Sequence, residues 1–194
     1  MKLIISSNNP GKIREYKQIL EPLGFEVCSQ SEAGIEIEAE ETGITFAENS
    51  AIKARAVRGL VQCSVLADDS GLEVDALGGE PGVYSARYGG LSTAEERSEL
   101  VLEKMKDVPD GQRSARFICA IHLILPDGRE IAVEGRCEGT IGYGFKGENG
   151  FGYDPIFMYG GKSFAEITAD EKNKVSHRAV ALRALIEKIK ELDI

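Results

Sequence analysis

The sequence predicts an α/β fold: a central, twisted, mixed β-sheet flanked by helices, in two lobes with an active-site cleft between them. Three observations predict it. Short apolar strands alternate with helical patterns through the first half; two longer strand-like segments then flank a tight turn; and a final apolar stripe has helical period. The 194 residues fit a single domain, 1–194, long enough to bury a substantial core, with no internal repeat and no low-complexity linker.

Lys2 to Ser6 is a short apolar strand. Asn8-Asn9-Pro10 then supplies a loop, a cap and a proline suited to a first helical turn, and Ile13, Tyr16, Ile19 and Leu20 recur at helical spacing before Gly24 ends the element. A polar, acidic connection from Ser29 to Gly43 leads to Thr45-Phe46-Ala47-Glu48, a capping box that opens a helix to about Val61. Val65 to Ala67 is the next strand, and it delivers Asp68 and Asp69 into a glycine-rich loop. Gly78-Gly79-Glu80-Pro81-Gly82 is a turn-dense break, and Ser92 to Glu96 carries overlapping capping signals for a helix reaching Met105. Arg116 to Leu125 and Arg129 to Glu138 flank Pro126-Asp127-Gly128, a β-hairpin signal. Gly139 to Gly152 holds six glycines in fourteen residues, and Tyr153 to Met158 reads as a strand. From Ser176 onward, Ala179, Leu182, Leu185, Ile186 and Ile189 form the stripe of a terminal helix to about Leu192.

Composition narrows the function classes. The chain is 42% hydrophobic and 28% charged, ordinary for a soluble globular protein, and no run of eighteen apolar residues exists to span a membrane. The start, MKLIISSNNPGK, has only three consecutive large apolar residues, too few for a secretory signal, so the expected location is the cytoplasm. A net charge of −9 argues against nucleic acid as a partner, whereas a small phosphorylated ligand is compatible if metal ions and a few lysines neutralise it. Cys28, Cys63, Cys119 and Cys137 lie far apart without CxxC spacing, which favours buried free thiols over a zinc site.

Four constellations carry chemistry. In Ser7-Asn8-Asn9-Pro10-Gly11-Lys12 a strand turns into a helix, where backbone N–H groups and the helix dipole make an anion site with Ser7, Asn9 and Lys12; the alternative is an ordinary N-cap beside a surface lysine. The acidic residues Glu38, Glu40, Glu41, Asp68 and Asp69 come second. Glu36 and Glu38 fit a solvated loop, but adjacent carboxylates at a strand end are costly unless something positive sits on them, so Asp68 and Asp69 read as a metal or acid-base site. Third, Phe151-Gly152-Tyr153-Asp154-Pro155 offers a ring to stack on a flat ligand and a carboxylate for ring N–H groups, or else is an aromatic strand entering the core. Fourth, Lys172 and Ser176-His177-Arg178 put cations at a helix N-terminus, where the dipole opposes them unless an anion or electron-rich group is bound; a structural histidine and a solvated lysine are the alternative.

In this order, with ADDSGLEVDALGGEPGVYSARY, FGYDPIF and SHR intact, the four closely resemble the inosine/xanthosine triphosphate pyrophosphatase family, the non-canonical purine NTP pyrophosphatases. The resemblance implies hydrolysis of ITP, dITP or XTP to the monophosphate and pyrophosphate, with magnesium as cofactor and a homodimer in which GGEPGVYSARYGG is a candidate interface. It implies phosphate contacts from Ser7, Asn9 and Lys12, with Lys53 as a further partner. Metal ligation falls to Glu40, next to the competing Glu41, and to Asp68 and Asp69. Asp69 is the proton acceptor and Ser70 a substrate contact. Phe151, Gly152, Tyr153 and Asp154 form the base pocket, with Lys172, His177 and Arg178 as the remaining contacts. Arg178 is the donor expected to favour a 6-oxo purine. Two other classes compete: the distantly related septum-inhibitor type of nucleotide pyrophosphatase, and a nucleotide-binding module without hydrolysis.

Overall fold

In the computed structural model, which describes residues 1–192, the strands form one mixed sheet in the order β2-β1-β3-β4-β5-β6-β7. The strands are β1 (Lys2–Ile5), β2 (Glu26–Ser29), β3 (Ser64–Val74), β4 (Ser114–Ile124), β5 (Glu130–Ile141), β6 (Phe157–Tyr159) and β7 (Lys162–Ser163). The helices are α1 (Pro10–Leu20), α2 (Phe46–Arg58), α3 (Ala94–Lys104), α4 (Ala169–Val175) and α5 (His177–Glu191). β1 pairs in parallel with β2 and β3, whereas β6 pairs antiparallel with β5 and β7.

The chain divides into two compact units. The first comprises Met1–Asp69, Cys119–Gly135 and the chain from Arg178 onward. Its strands are read by the two-residue period of a pleated chain. Leu3, Ile5 and Leu66 pack with Tyr16 and Leu20 of α1 and with Ala181, Leu182, Leu185 and Ile189 of α5. The intervening Ile4 and Val65 pack with Val57 of α2, and Ala67 with Ala54 of α2. Helices therefore cover both faces of this part of the sheet, α1 and α5 on one and α2 on the other. The Thr45 capping box expected from sequence opens α2, with Glu48 N donating to Thr45 Oγ1 at 3.2 Å and Thr45 N to Glu48 Oε2 at 3.0 Å.

The second unit comprises Ser70–Ile118 and Arg136–His177. Its core gathers Leu72, Val74, Val101, Met105, Phe117, Tyr153, Phe157 and Phe164. Phe117 and Phe157 tilt against each other at 4.5 Å, and each ring of that size removes a large apolar area from water.

Three local expectations change. β3 does not stop at Ala67: it runs to Val74, so Asp68 and Asp69 lie within a strand and not in a loop. Residues 153–156 form turns, and the strand starts only at Phe157. Three short elements, β2, β7 and α4, were not anticipated. β2 has four residues, too few for a periodic signal, and α4 opens on a Thr168–Glu171 capping box with no apolar stripe behind it.

Candidate active site

Period two decides what the neighbouring aspartates face. Asp68 continues the series of Leu66 toward α1 and α5, and Asp69 continues that of Val65 and Ala67 toward α2. Adjacent in sequence, the two carboxylates project to opposite faces of the sheet and meet different partners.

Asp68 is buried, and its Oδ2 lies 3.0 Å from Lys12 Nζ of α1 and 3.0 Å from Arg178 Nη2 of α5. The other terminal nitrogen of Arg178, Nη1, is ion-paired with Glu15 Oε2, one turn beyond Lys12 on α1. Desolvation pushes the Asp68 carboxyl up, but Lys12, Arg178 and Lys53 outweigh it and hold the group well below the usual carboxylate range. Cys119 Sγ sits 3.8 Å from the same oxygen, where burial pushes its thiol well up.

Asp69 has softer company. Lys53 Nζ of α2 lies 2.9 Å from its Oδ1, and Asn49 Nδ2, one turn earlier on the same helix face, lies 3.3 Å from its Oδ2. Lys53 is shared: Glu41 Oε1 is 2.8 Å away. Here desolvation prevails over Lys53 and Lys12, and the carboxyl is raised above its ordinary value. A carboxylate pushed up beside one pushed down marks a division of labour, the first suited to taking a proton and the second to staying charged. Asn49 is aimed by Gly43, whose N donates to Asn49 Oδ1 at 2.8 Å; a Cβ on Gly43 would stand 2.7 Å from that oxygen.

The N-terminal turn differs from expectation. Gly11 N and Lys12 N both donate to Asn9 Oδ1, at 2.9 and 3.2 Å, Ile13 N donates to Asn9 O, and Pro10 has no N–H. The donors offered to an anion are engaged by the cap itself, which leaves the Lys12 ammonium as the charged group of this turn. Ser7 Oγ accepts from Asn9 N at 3.2 Å and fixes the loop.

The second unit carries its own polar cluster. Asp154 Oδ2 accepts from Lys172 Nζ at 2.6 Å and from Phe151 N at 2.8 Å, and both charged residues are buried. The Lys172 ammonium lies 4.7 Å from the Phe151 ring centroid and 5.6 Å from that of Phe164. Glycine is required here: a Cβ on Gly150 would sit 2.1 Å from Asp154 Oδ2, and Gly152 has φ 63°. Tyr153 turns into the core with its hydroxyl donating to Ser85 O at 2.9 Å, and His177 stacks on Phe117 at 4.8 Å. Ser70, next along β3, is half-buried.

Of the residues singled out in sequence, the first unit brings together Lys12, Lys53, Asp68, Asp69 and Arg178, with Glu41 joining them while Glu40 is exposed. Arg178 is engaged by two carboxylates of this unit. The second unit brings together Phe151, Asp154 and Lys172. Glu15 and Asn49 were missed. For Asn49, an asparagine four residues before Lys53 in a segment opened by a capping box, where asparagine is a poor helix former, was the available signal.

Fold and cluster together define an α/β protein with buried, ion-paired carboxylates on a strand of a mixed sheet. The chain belongs to the Ham1 family, which matches residues 3–188. It is 51% identical over 185 residues to the dITP/XTP pyrophosphatase of Bacillus subtilis, covering 94% of this chain and 93% of that protein. It is 48% identical over 193 residues to the dITP/XTP pyrophosphatase of Thermus thermophilus, covering 98% and 93%. Among solved structures, the Ham1 protein of Staphylococcus aureus superposes with a TM-score of 0.86 at 40% identity, covering 98% of this chain and 99% of that one.

Proposed function

We propose that the chain is a nucleoside-triphosphate pyrophosphatase that hydrolyses ITP, dITP and XTP to the monophosphate and pyrophosphate, clearing deaminated purines before they enter DNA or RNA. The observation that carries this reading is the opposed pair on β3: Asp68 held charged between Lys12 and Arg178, Asp69 raised and within reach of Lys53 and Asn49. The names of relatives about half identical over nearly the full length supply the substrate class.

Cleaving a phosphoanhydride needs an oriented water, a group to take its proton and cations against the charge on the phosphoryl oxygens. Asp69 Oδ1 or Oδ2 takes the proton from the attacking water, with Asn49 and Lys53 fixing the carboxylate plane. Lys12 and Lys53 supply positive charge to the phosphates, and Ser7 and Asn9 shape the turn that presents Lys12. Among the described residues, no three His, Cys, Asp or Glu side chains converge as a closed metal site. Magnesium keeps waters and binds through one or two carboxylates plus substrate oxygens. Asp69 and Glu41, hard oxygen donors already flanking one cation, would hold it in preference to the exposed Glu40, because Asp68 Oδ2 is taken by two cations. When bound, it would offset phosphate charge and acidify a coordinated water.

Base selection is read from the second unit. Lys172 offers N–H donors and no acceptor, so it suits a 6-oxo purine and opposes a 6-amino one. Phe151 supplies the stacking ring, and His177 and Ser70 stand as further substrate contacts. One unpaired buried donor costs roughly 1 to 3 kcal/mol, so a mismatch at Lys172 against ATP gives roughly tenfold to a hundredfold. We read the chain as a homodimer of the cytoplasm, supported by exposed Tyr84 and its stacked Arg87 in the Gly78–Gly90 segment and by its free cysteines.

The test is product identity. With ITP and magnesium, equal amounts of IMP and pyrophosphate are expected, and no turnover with EDTA. IDP and inorganic phosphate would refute the reading.

A further inference from the structure

We infer that Glu15 is a positioning residue for this reaction: acting through Arg178 and Asp68, it fixes the Lys12 ammonium at the start of α1. The inference rests on the reading above that Lys12 serves the phosphates.

Glu15, Arg178, Asp68 and Lys12 form a chain of alternating charge, with Arg178 between two carboxylates and Asp68 between two cations. The members differ in freedom. The Arg178 side chain is 1% exposed and held at both Nη atoms, whereas that of Lys12 is 14% exposed on a flexible stem. Both cations address the same oxygen, Asp68 Oδ2, each at 3.0 Å. If Arg178 served Asp68 alone, that pair would be neutral and little charge would remain to hold Lys12. Glu15 draws part of the guanidinium's charge to itself and leaves Asp68 anionic enough to orient the lysine. The helix makes this possible, because residues three apart on α1 share a face. Glu15 is itself buried at 7% exposure, an uncommon place for a glutamate unless its charge is paired.

The experiment is a set of double-mutant cycles on the full chain, with ITP and magnesium. Glu15→Gln keeps the shape and removes the charge; kcat/KM is expected to fall roughly 10- to 100-fold, the usual effect of losing a group that orients a functional one. Glu15→Asp restores the charge and is expected to recover most of that loss. In Lys12→Met or Asp68→Asn backgrounds, Glu15→Gln is expected to cost less than about twofold more, because interacting residues are not additive. A merely structural Glu15 would lower the melting temperature and multiply its loss through both backgrounds, which would overturn the proposal, as would full activity in folded Glu15→Gln. Should Glu15→Gln not fold, the smaller loss in Glu15→Asp must likewise vanish in Lys12→Met. Wild-type enzyme that makes no IMP and pyrophosphate from ITP refutes the reading of function itself. An active wild type with multiplying losses refutes only the role of Glu15.

Discussion

Asp68 and Asp69 share a peptide bond and little else, and their substitutions have different consequences. The folded pKa of Asp68 is depressed by Lys12 and Arg178 against its burial. Its stabilising contribution is therefore present above the ordinary carboxylate range and lost only as pH falls through the depressed folded value. Asp69 is raised by desolvation, so its ionised form opposes folding above its unfolded pKa, and that cost disappears below both values. In metal-free buffer at neutral pH, Asp68→Asn is expected to lower stability by about 3 kcal/mol, since it leaves the buried Arg178 with Glu15 alone and takes the carboxylate from the partly buried Lys12. Asp69→Asn is expected to change stability far less, since Lys53 loses one carboxylate but keeps Glu41, while cutting kcat roughly a hundred- to ten-thousand-fold. Chemical denaturation and steady-state turnover check both, and full activity in Asp69→Asn would remove it from the proton-transfer role. The pair was legible in the sequence as adjacent carboxylates after an apolar run. Its division was not, because the apolar run ends at Ala67, and the two-residue period separates the side chains only if the strand continues.

At the scale of elements, α2 delivers Asn49 and Lys53 to Asp69, so its N-terminus governs both stability and geometry. Thr45→Ala removes the cap that accepts from Glu48 N and is expected to cost about 1 kcal/mol, with turnover of the folded enzyme nearly unchanged. Gly43→Ala acts differently. Its Cβ would lie 2.6 Å from Glu48 Cβ and 2.7 Å from Asn49 Oδ1, so the asparagine must move; turnover is expected to fall several-fold more than the Thr45→Ala value at matched stability. Equal turnover in the two variants would show that Asn49 does not orient Asp69. The capping boxes at Thr45 and Thr93 were legible because they are local patterns. The meeting of Glu41 with Lys53 was not, because it depends on how an irregular connection folds back on α2.

For the whole molecule, the alternation of strands and helices foretold the α/β sheet, and two lobes were expected, but which segments make up each unit was visible only in the separate cores around Leu66 and Phe157. A homodimer predicts sedimentation near twice 21.0 kDa, and a Tyr84→Glu variant should sediment as the monomer. The central claim is a preference for 6-oxo, deaminated purines in α–β hydrolysis. Its most direct test is kcat/KM with magnesium for ITP, dITP, XTP, GTP and ATP, read as pyrophosphate release. The account predicts ITP, dITP and XTP above ATP by roughly tenfold to a hundredfold; comparable or faster turnover of ATP would contradict it.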